Sequence, residues 1–248
     1  MAKKMRIVPR FSKAQRIAHW TFVAAFFTLL ITGLILYIPW TSTWASWKVF
    51  GWSWERLLHR IAAVVLLLVP LYYLLADPHG LWELVYDSFF SWDKDDLKWL
   101  PHFIPYVLGR PGHLPPQGRI NAGEKLHHAT IILFYFLIAG SGLVMWLGAP
   151  IIHQAAYHDL GLAMVLIHDI SMFVMAVLTF GHMYFAFVYG ALPGMVDGYV
   201  TEIYAAMEHP KWLAKLREEG KLVEISAEEF TKQCSGWKKA LRACWWDL

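Results

Sequence analysis

Four long apolar runs interrupt an otherwise polar chain: Trp20 to Pro39, Leu57 to Ala76, Thr130 to Leu147 and Leu160 to Val188. Each holds close to the twenty apolar residues that a helix needs to cross the hydrocarbon of a bilayer, so the pattern predicts four transmembrane helices. An even number of spans places both termini on one side. The segment before the first run carries Lys3, Lys4, Arg6, Arg10, Lys13 and Arg16 without an acid, whereas the connection Gly148 to Asp159 has neither lysine nor arginine. Retention of basic residues on the cytoplasmic side therefore puts the termini inside. The long second connection, with Lys94, Lys98, Arg110, Arg119 and Lys125, falls on the same side despite Asp93, Asp95 and Asp96.

The expected fold class is all-α, an integral membrane four-helix transmembrane bundle with a cytoplasmic N-terminus and a cytoplasmic C-terminal tail. Residues 1–18 form a basic N-terminal segment, 19–190 the membrane domain with a cytoplasmic loop at about 77–129, and 191–248 the tail. Pro111 to Pro116 cannot form a regular helix and reads as a fixed loop. Glu202 to Leu216 reads as an amphipathic helix interrupted at Pro210, covering the cytoplasmic face. No internal repeat, nucleotide-binding loop or low-complexity tract is recognised.

Composition agrees with a membrane protein: 57% of the 248 residues are hydrophobic and 17% charged, for a mean hydropathy of +0.39. Many of the aromatic residues flank the apolar runs, where amphipathic rings suit the headgroup region. The net charge of +3 says little about partners; the bilayer is expected and nucleic acid is not. The two cysteines, Cys234 and Cys244, lie in the polar tail. Two thiols are too few for an iron–sulfur cluster, which normally takes four ligands, and a cytoplasmic tail favours reduced thiols over a disulfide. The basic start followed by an apolar run superficially resembles a signal peptide, but the run is too long and lacks a small-residue cleavage site, so it reads as a retained helix.

Of twelve histidines, His19, His59, His168 and His182 lie within or at the edges of the spans. An ionisable side chain there is costly and marks a functional site by default. Neutral imidazole is also a ligand of haem iron. His168 and His182 are fourteen residues apart on the fourth span, which on a helix is about 40° in azimuth and about 21 Å in height. One helix face thus offers two ligands at two depths. His59 begins the second helix at the outer level of His168, and His19 begins the first at the inner level of His182. The matched depths predict an outer haem between His59 and His168 and an inner haem between His19 and His182, so that all four are ligands of haem iron.

Gly33, Gly140, Gly142 and Gly181 let a flat macrocycle approach a helix, though small residues equally serve plain helix packing. Arg60 and Asp169 each follow an outer histidine. They read as an ion pair or a contact to a haem propionate, with snorkelling of Arg60 to the interface as the alternative. His79, His102, His113, His153, His158 and His209 read as solvated loop or tail residues. His127 and His128 start the third helix at the inner level, where a quinone head or its protons are met; an interfacial role is the simpler reading.

The residues resemble the membrane gamma subunit of respiratory formate dehydrogenases, of cytochrome b556 type, within the di-haem cytochrome b group that includes hydrogenase cytochromes. The resemblance is carried by Arg10-Phe11-Ser12, Ala18-His19-Trp20, Ile31-Thr32-Gly33-Leu34, Arg56-Leu57-Leu58-His59, Asp96-Leu97-Lys98-Trp99 and Asn121-Ala122-Gly123-Glu124-Lys125. It continues through Gly140-Ser141-Gly142, the fourth-helix histidine pair, Gly194 to Thr201 and His209-Pro210. Residues beyond about Arg217 carry no part of the resemblance. The resemblance implies the same two axial pairs and a menaquinone site by the inner haem, near Asn121, Gly123 and His182. An amide side chain and a backbone N–H suit quinone carbonyls. Asn121 and Glu124 also read as a helix cap, and both roles are compatible. Glu124 stands where the family often has glutamine, which places a carried-over hydrogen bond in doubt.

The expected function is electron transfer from a partner iron–sulfur subunit with a membrane anchor, through two b-type haems, to a membrane quinone, with protons taken up on the cytoplasmic side. The chain is then the quinone-reducing subunit of an oxidoreductase complex, and its catalytic partner carries a molybdenum- or tungsten-pterin cofactor. No catalytic residue for fuel oxidation is expected here. A cytochrome b subunit of a nickel–iron hydrogenase or related reductase is the neighbouring reading. A haem-free membrane anchor or transporter is the reading from another class.

Overall fold

A computed structural model describes residues 4–38, 40, 48–49, 52–109, 112–149 and 157–226. Arg110, Pro111, His153, Cys234 and Cys244 lie outside the described residues, as does the tail beyond 226.

The chain opens with strand β1 (Lys4–Pro9), enters the long helix α1 (Lys13–Tyr37), and passes through the two-residue strands β2 (Lys48–Val49) and β3 (Trp52–Ser53) into α2 (Trp54–Ala76). Short helices α3 (Pro78–Phe89), α4 (Lys94–Trp99) and α5 (Phe103–Val107) precede α6 (Ala122–Leu147) and α7 (His158–Val188). The last described stretch holds α8 (Leu192–Asp197), β4 (Tyr199–Thr201), α9 (Glu202–Glu208), α10 (Pro210–Glu218) and β5 (Val223–Ser226).

Among the described residues, the helices α1, α2, α6 and α7 are the four long enough and apolar enough to cross a membrane. Even the shortest, with 23 residues, spans about 35 Å at helical rise. They carry large apolar side chains outward, Leu75 at 77% and Val177 at 72% exposure among them, a surface intolerable in water and natural against lipid tails. Two of them begin well before their apolar runs because a reciprocal cap fixes the start. Gln15 N–H donates to Ser12 Oγ at 3.1 Å while Ser12 N–H donates to Gln15 Oε1 at 2.8 Å. Glu124 N–H donates to Asn121 Oδ1 at 2.8 Å and Asn121 N–H to Glu124 Oε2 at 2.9 Å. Each box satisfies two backbone donors that a helix start leaves unpaired.

The described chain divides into two compact units. The first comprises residues 17–81 and 130–181 and holds most of the four long helices. Its core includes Ala25, Leu66 and Tyr135, with Phe22 and Leu29 packed against them. Pro70 lies inside α2 and has no N–H to give the carbonyl four residues earlier, that of Leu66. The Tyr135 hydroxyl, from α6, donates to this Leu66 carbonyl at 3.4 Å.

The second unit comprises residues 1–16, 82–129 and 182–248. A three-stranded antiparallel sheet in the order β4-β1-β5 places the N-terminal strand at the centre, with Ile7 opposite Thr201 on one side and Val223 on the other. Val8, Val200, Ala205, Leu213 and Leu216 form its core. The glycines at 194 and 198 have a packing reason. A Cβ on Gly194 would stand 3.2 Å from the Phe11 ring, and Gly198, at φ +88°, would bring one within 2.8 Å of the Phe11 carbonyl. Gly198 O accepts from Arg10 N–H at 2.8 Å, and Arg16 Nη1 donates to Val196 O at 2.9 Å. A second cluster gathers Trp99, Tyr106 and Ala122 with Phe185 and Tyr189. Tyr106 stacks on Tyr189 with ring centres 4.4 Å apart and donates its hydroxyl to Glu208 at 2.8 Å. The expected interruption at Pro210 separates α9 from α10.

Candidate haem-binding site

Within the membrane unit, α2 and α7 bring His59 and His168 together, their ring centres 6.4 Å apart. A metal–imidazole bond of about 2 Å, with the ring centre roughly 1 Å behind the nitrogen, sets two imidazoles on one metal at roughly 6 Å between centres. The observed spacing fits.

Hydrogen bonding fixes which nitrogen of each ring is left for a metal. Thr32 on α1 has one hydroxyl proton, directed to Thr28 O at 2.7 Å. Its oxygen, 2.9 Å from His59 Nδ1, therefore accepts, and Nδ1 carries the proton. Ser141 on α6 repeats the arrangement, donating to Leu137 O at 2.7 Å with its oxygen 3.2 Å from His168 Nδ1. The Ile138 carbonyl, 3.1 Å from the same nitrogen, can only accept and requires the same tautomer. Nε2 of both rings is left as the basic nitrogen, the donor that haem iron takes. Two glycines shape the walls. A Cβ on Gly33 would stand 3.4 Å from His59 Cε1, and one on Gly142 would stand 3.1 Å from His168 Cε1. Gly140 and Gly181 meet nothing within 4 Å. Arg60 lies over the Trp146 ring at 5.5 Å, which places its charge on an aromatic face. Asp169 is partly exposed.

The polar unit holds His182, whose ring stacks on that of His127 with centres 4.9 Å apart and planes 14° from parallel. His19 belongs to the other unit. Asn121 is buried, and its side-chain oxygen is occupied by the cap of α6. Gly123 packs beneath Trp99, whose Cη2 would stand 3.0 Å from an added Cβ. Glu124 takes Arg10 Nη2 at 3.0 Å on one oxygen and caps Asn121 with the other. Arg10 is buried under the rings of Phe11, Tyr204 and Trp212. Beside it Lys125 Nζ meets Asp96 at 2.6 Å, with side chains 6% and 2% exposed.

One expectation is corrected. His209 is 0% exposed, not a solvated tail residue: its Nδ1–H donates to Gly118 O at 2.9 Å. Burial, reinforced by the Arg10 cation and opposed by Glu124 and the Gly118 carbonyl, pulls its pKa down to about 3. His79, His113 and His158 are exposed as expected, and His102 partly so. Thr32, Ser141 and Arg10 were absent from the sequence-derived candidates. The first two were findable as hydroxyl-glycine pairs, each hydroxyl 27 residues before a span histidine.

Four apolar helices of membrane-spanning length, with a facing pair of histidines on α2 and α7, fit a membrane cytochrome of the b type. The profile of the prokaryotic cytochrome b561 family matches residues 10–198, and the chain belongs to that family. It is 25% identical over 217 residues to the formate dehydrogenase, nitrate-inducible, cytochrome b556(Fdn) subunit of Escherichia coli K12, covering 87% of this chain and 94% of the relative. It is 28% identical over 211 residues to the formate dehydrogenase cytochrome b556 subunit of Haemophilus influenzae, covering 82% and 83%. It is also 29% identical over 161 residues to the F420 non-reducing hydrogenase II cytochrome subunit of Methanosarcina mazei, covering 58% and 56%.

Proposed function

We propose that this chain is the membrane cytochrome b subunit of a formate dehydrogenase complex, passing electrons from an iron–sulfur partner by way of two b-type haems to a menaquinone-type quinone. The observation that carries the haem reading is the facing of His59 and His168 with both Nδ1 protons committed elsewhere. The near full-length match to cytochromes named as formate dehydrogenase subunits supports the fuel.

Each haem, when bound, carries one electron by cycling between ferric and ferrous iron. His59 and His168 hold the outer one. The inner one is assigned to His19 and His182 on their depth along the helices and on the family resemblance. Arg60, directly after His59, and Asp169, directly after His168, are candidates for an ion pair or a propionate contact. The quinone is assigned to the neighbourhood of Asn121, Gly123 and His182. Because the Asn121 oxygen is spent on the helix cap, its amide nitrogen is the end that serves a quinone carbonyl, and the first-turn N–H of Gly123 is a second donor. The basic N-terminal segment supports cytoplasmic termini in the inner membrane, and proton uptake is assigned to that side. The complex would include a catalytic subunit with a molybdenum- or tungsten-pterin cofactor and an iron–sulfur subunit with its own membrane anchor.

A pyridine haemochrome assay on the purified chain tests this directly. Two haems b per chain are expected, falling to one in His59→Ala and to one in His19→Ala; a parent chain devoid of haem b under adequate haem supply defeats the reading. The match to a hydrogenase cytochrome keeps a second fuel in view. Formate and hydrogen, added separately to membranes holding the complex, distinguish the two by which one brings up the ferrous b-type band.

A further inference from the structure

The outer histidine pair is built from one device used twice. In each half a hydroxyl on one long helix meets a histidine 27 residues later on another, Thr32 with His59 and Ser141 with His168. In each half a glycine directly after the hydroxyl residue faces the Cε1 edge of the same imidazole, Gly33 for His59 and Gly142 for His168. In the second half the carbonyl three residues before the hydroxyl serves the ring as well: Ile138 accepts from His168 Nδ1–H at 3.1 Å. The shared spacing extends to the helix starts, since the Ser12–Gln15 and Asn121–Glu124 boxes precede their hydroxyl-glycine pairs by equal distances. The two helical hairpins thus repeat each other in the positions that build the site, although their sequences show no recognisable repeat.

The hydroxyl oxygens are directed acceptors. A threonine or serine inside a helix commonly returns its proton to the carbonyl four residues back, and both do so here at 2.7 Å. What remains of each hydroxyl is a lone pair, so the imidazole must donate. A ligand imidazole that donates its far N–H gains electron density at the metal-binding nitrogen and favours the more highly charged metal.

We propose that Thr32 and Ser141 are positioning residues of the outer haem, which lock the His59 and His168 rings as Nδ1–H tautomers and, as paired acceptors, lower the reduction potential of that haem. The proposal rests on the assignment of a haem to His59 and His168. Loss of one acceptor withdraws electron density from its ligand and raises the outer potential, leaving the inner one in place.

The test is a redox titration of the b-type absorbance of the full-length chain in its membrane complex, run beside a haem assay. The parent is compared with Thr32→Val, Thr32→Ser and Ser141→Ala. Thr32→Val is expected to keep two haems and to raise one midpoint on the order of tenfold in ferric-to-ferrous preference, which is 59 mV for a one-electron couple. Thr32→Ser restores the parental value. Ser141→Ala moves the same midpoint upward by less, in keeping with its longer 3.2 Å contact. Two haems with both midpoints unmoved in Thr32→Val and Ser141→Ala overturn the proposal, and so does an equal shift of both haems. If Thr32→Val loses a haem, retention of that haem and its potential in Thr32→Ser upholds the role of the hydroxyl, and loss in both overturns it. A parent without haem b overturns this proposal together with the functional reading, whereas a haem-bearing parent with unresponsive midpoints overturns the proposal alone.

Discussion

The hydroxyl of Tyr135 donates to the carbonyl of Leu66, the carbonyl that Pro70 deprives of its partner within the helix. In water such a carbonyl would be hydrated, but in the bilayer an unmet one is costly. Tyr135→Phe is therefore expected to destabilise the protein by about 1–2 kcal/mol. With Pro70→Ala the Leu66 carbonyl regains a backbone donor, and the penalty for Tyr135→Phe shrinks. Thermal unfolding of the four members of this double-mutant cycle measures the coupling; additive effects would show that the tyrosine does not serve the proline gap.

The two glycines of the outer site differ in clearance, and their alanine variants are expected to differ in haem content. At Gly142 a Cβ would sit 3.1 Å from His168 Cε1, closer than carbon atoms ordinarily pack, whereas at Gly33 the distance to His59 Cε1 is 3.4 Å. Gly142→Ala pushes the imidazole and lowers outer-haem occupancy, and Gly33→Ala retains most of it. The haemochrome assay reads both, and an equal result in the two variants refutes the steric argument.

The Lys125–Asp96 pair, 2.6 Å apart and almost wholly buried, ties the start of α6 to α4, where Asp96 also accepts from Asp93 N–H at 2.9 Å. Lys125→Ala strands the carboxylate and is expected to cost about 3–5 kcal/mol. Adding Asp96→Asn, which keeps an acceptor for the Asp93 N–H, recovers part of the loss. Denaturation midpoints of the single and double variants check this.

His209 makes stability depend on pH. Its folded-state pKa of about 3 lies below the ordinary histidine value of about 6.5, so the unfolded chain binds the extra proton first. Stability from this group is whole above about pH 6.5 and declines as pH falls toward 3, with a slope of at most about 1.4 kcal/mol per unit. His209→Asn retains a donor for Gly118 O and removes the titration. Its melting temperature is expected to fall less steeply between pH 6.5 and pH 4.5 than that of the parent; identical profiles would rule out His209 as the source.

The four spans and their histidines were legible because hydropathy and helical periodicity are local properties: His168 and His182 share a face whatever else the chain does. The start of α1 was set too late, near His19 and Trp20, because an apolar run does not register a polar first turn and the Ser12–Gln15 box went unread; the Asn121–Glu124 cap, read from the sequence, does mark the start of α6. His209 was misread since its burial depends on Arg10 and Gly118, which only the fold brings to it. Thr32 and Ser141 sit in apolar helices where a hydroxyl can simply turn back on its own backbone. Their second role exists only once α2 and α7 present the imidazoles.

The three-stranded sheet has its own consequence for biogenesis. Its central strand, Lys4–Pro9, is made before the four spans, yet its partners Tyr199–Thr201 and Val223–Ser226 leave the ribosome after all four. The sheet therefore closes only on a chain whose four spans have all been synthesised. A chain truncated before residue 199 would expose a basic, unpaired N-terminal strand, a mark by which quality-control proteases could tell unfinished copies from finished ones.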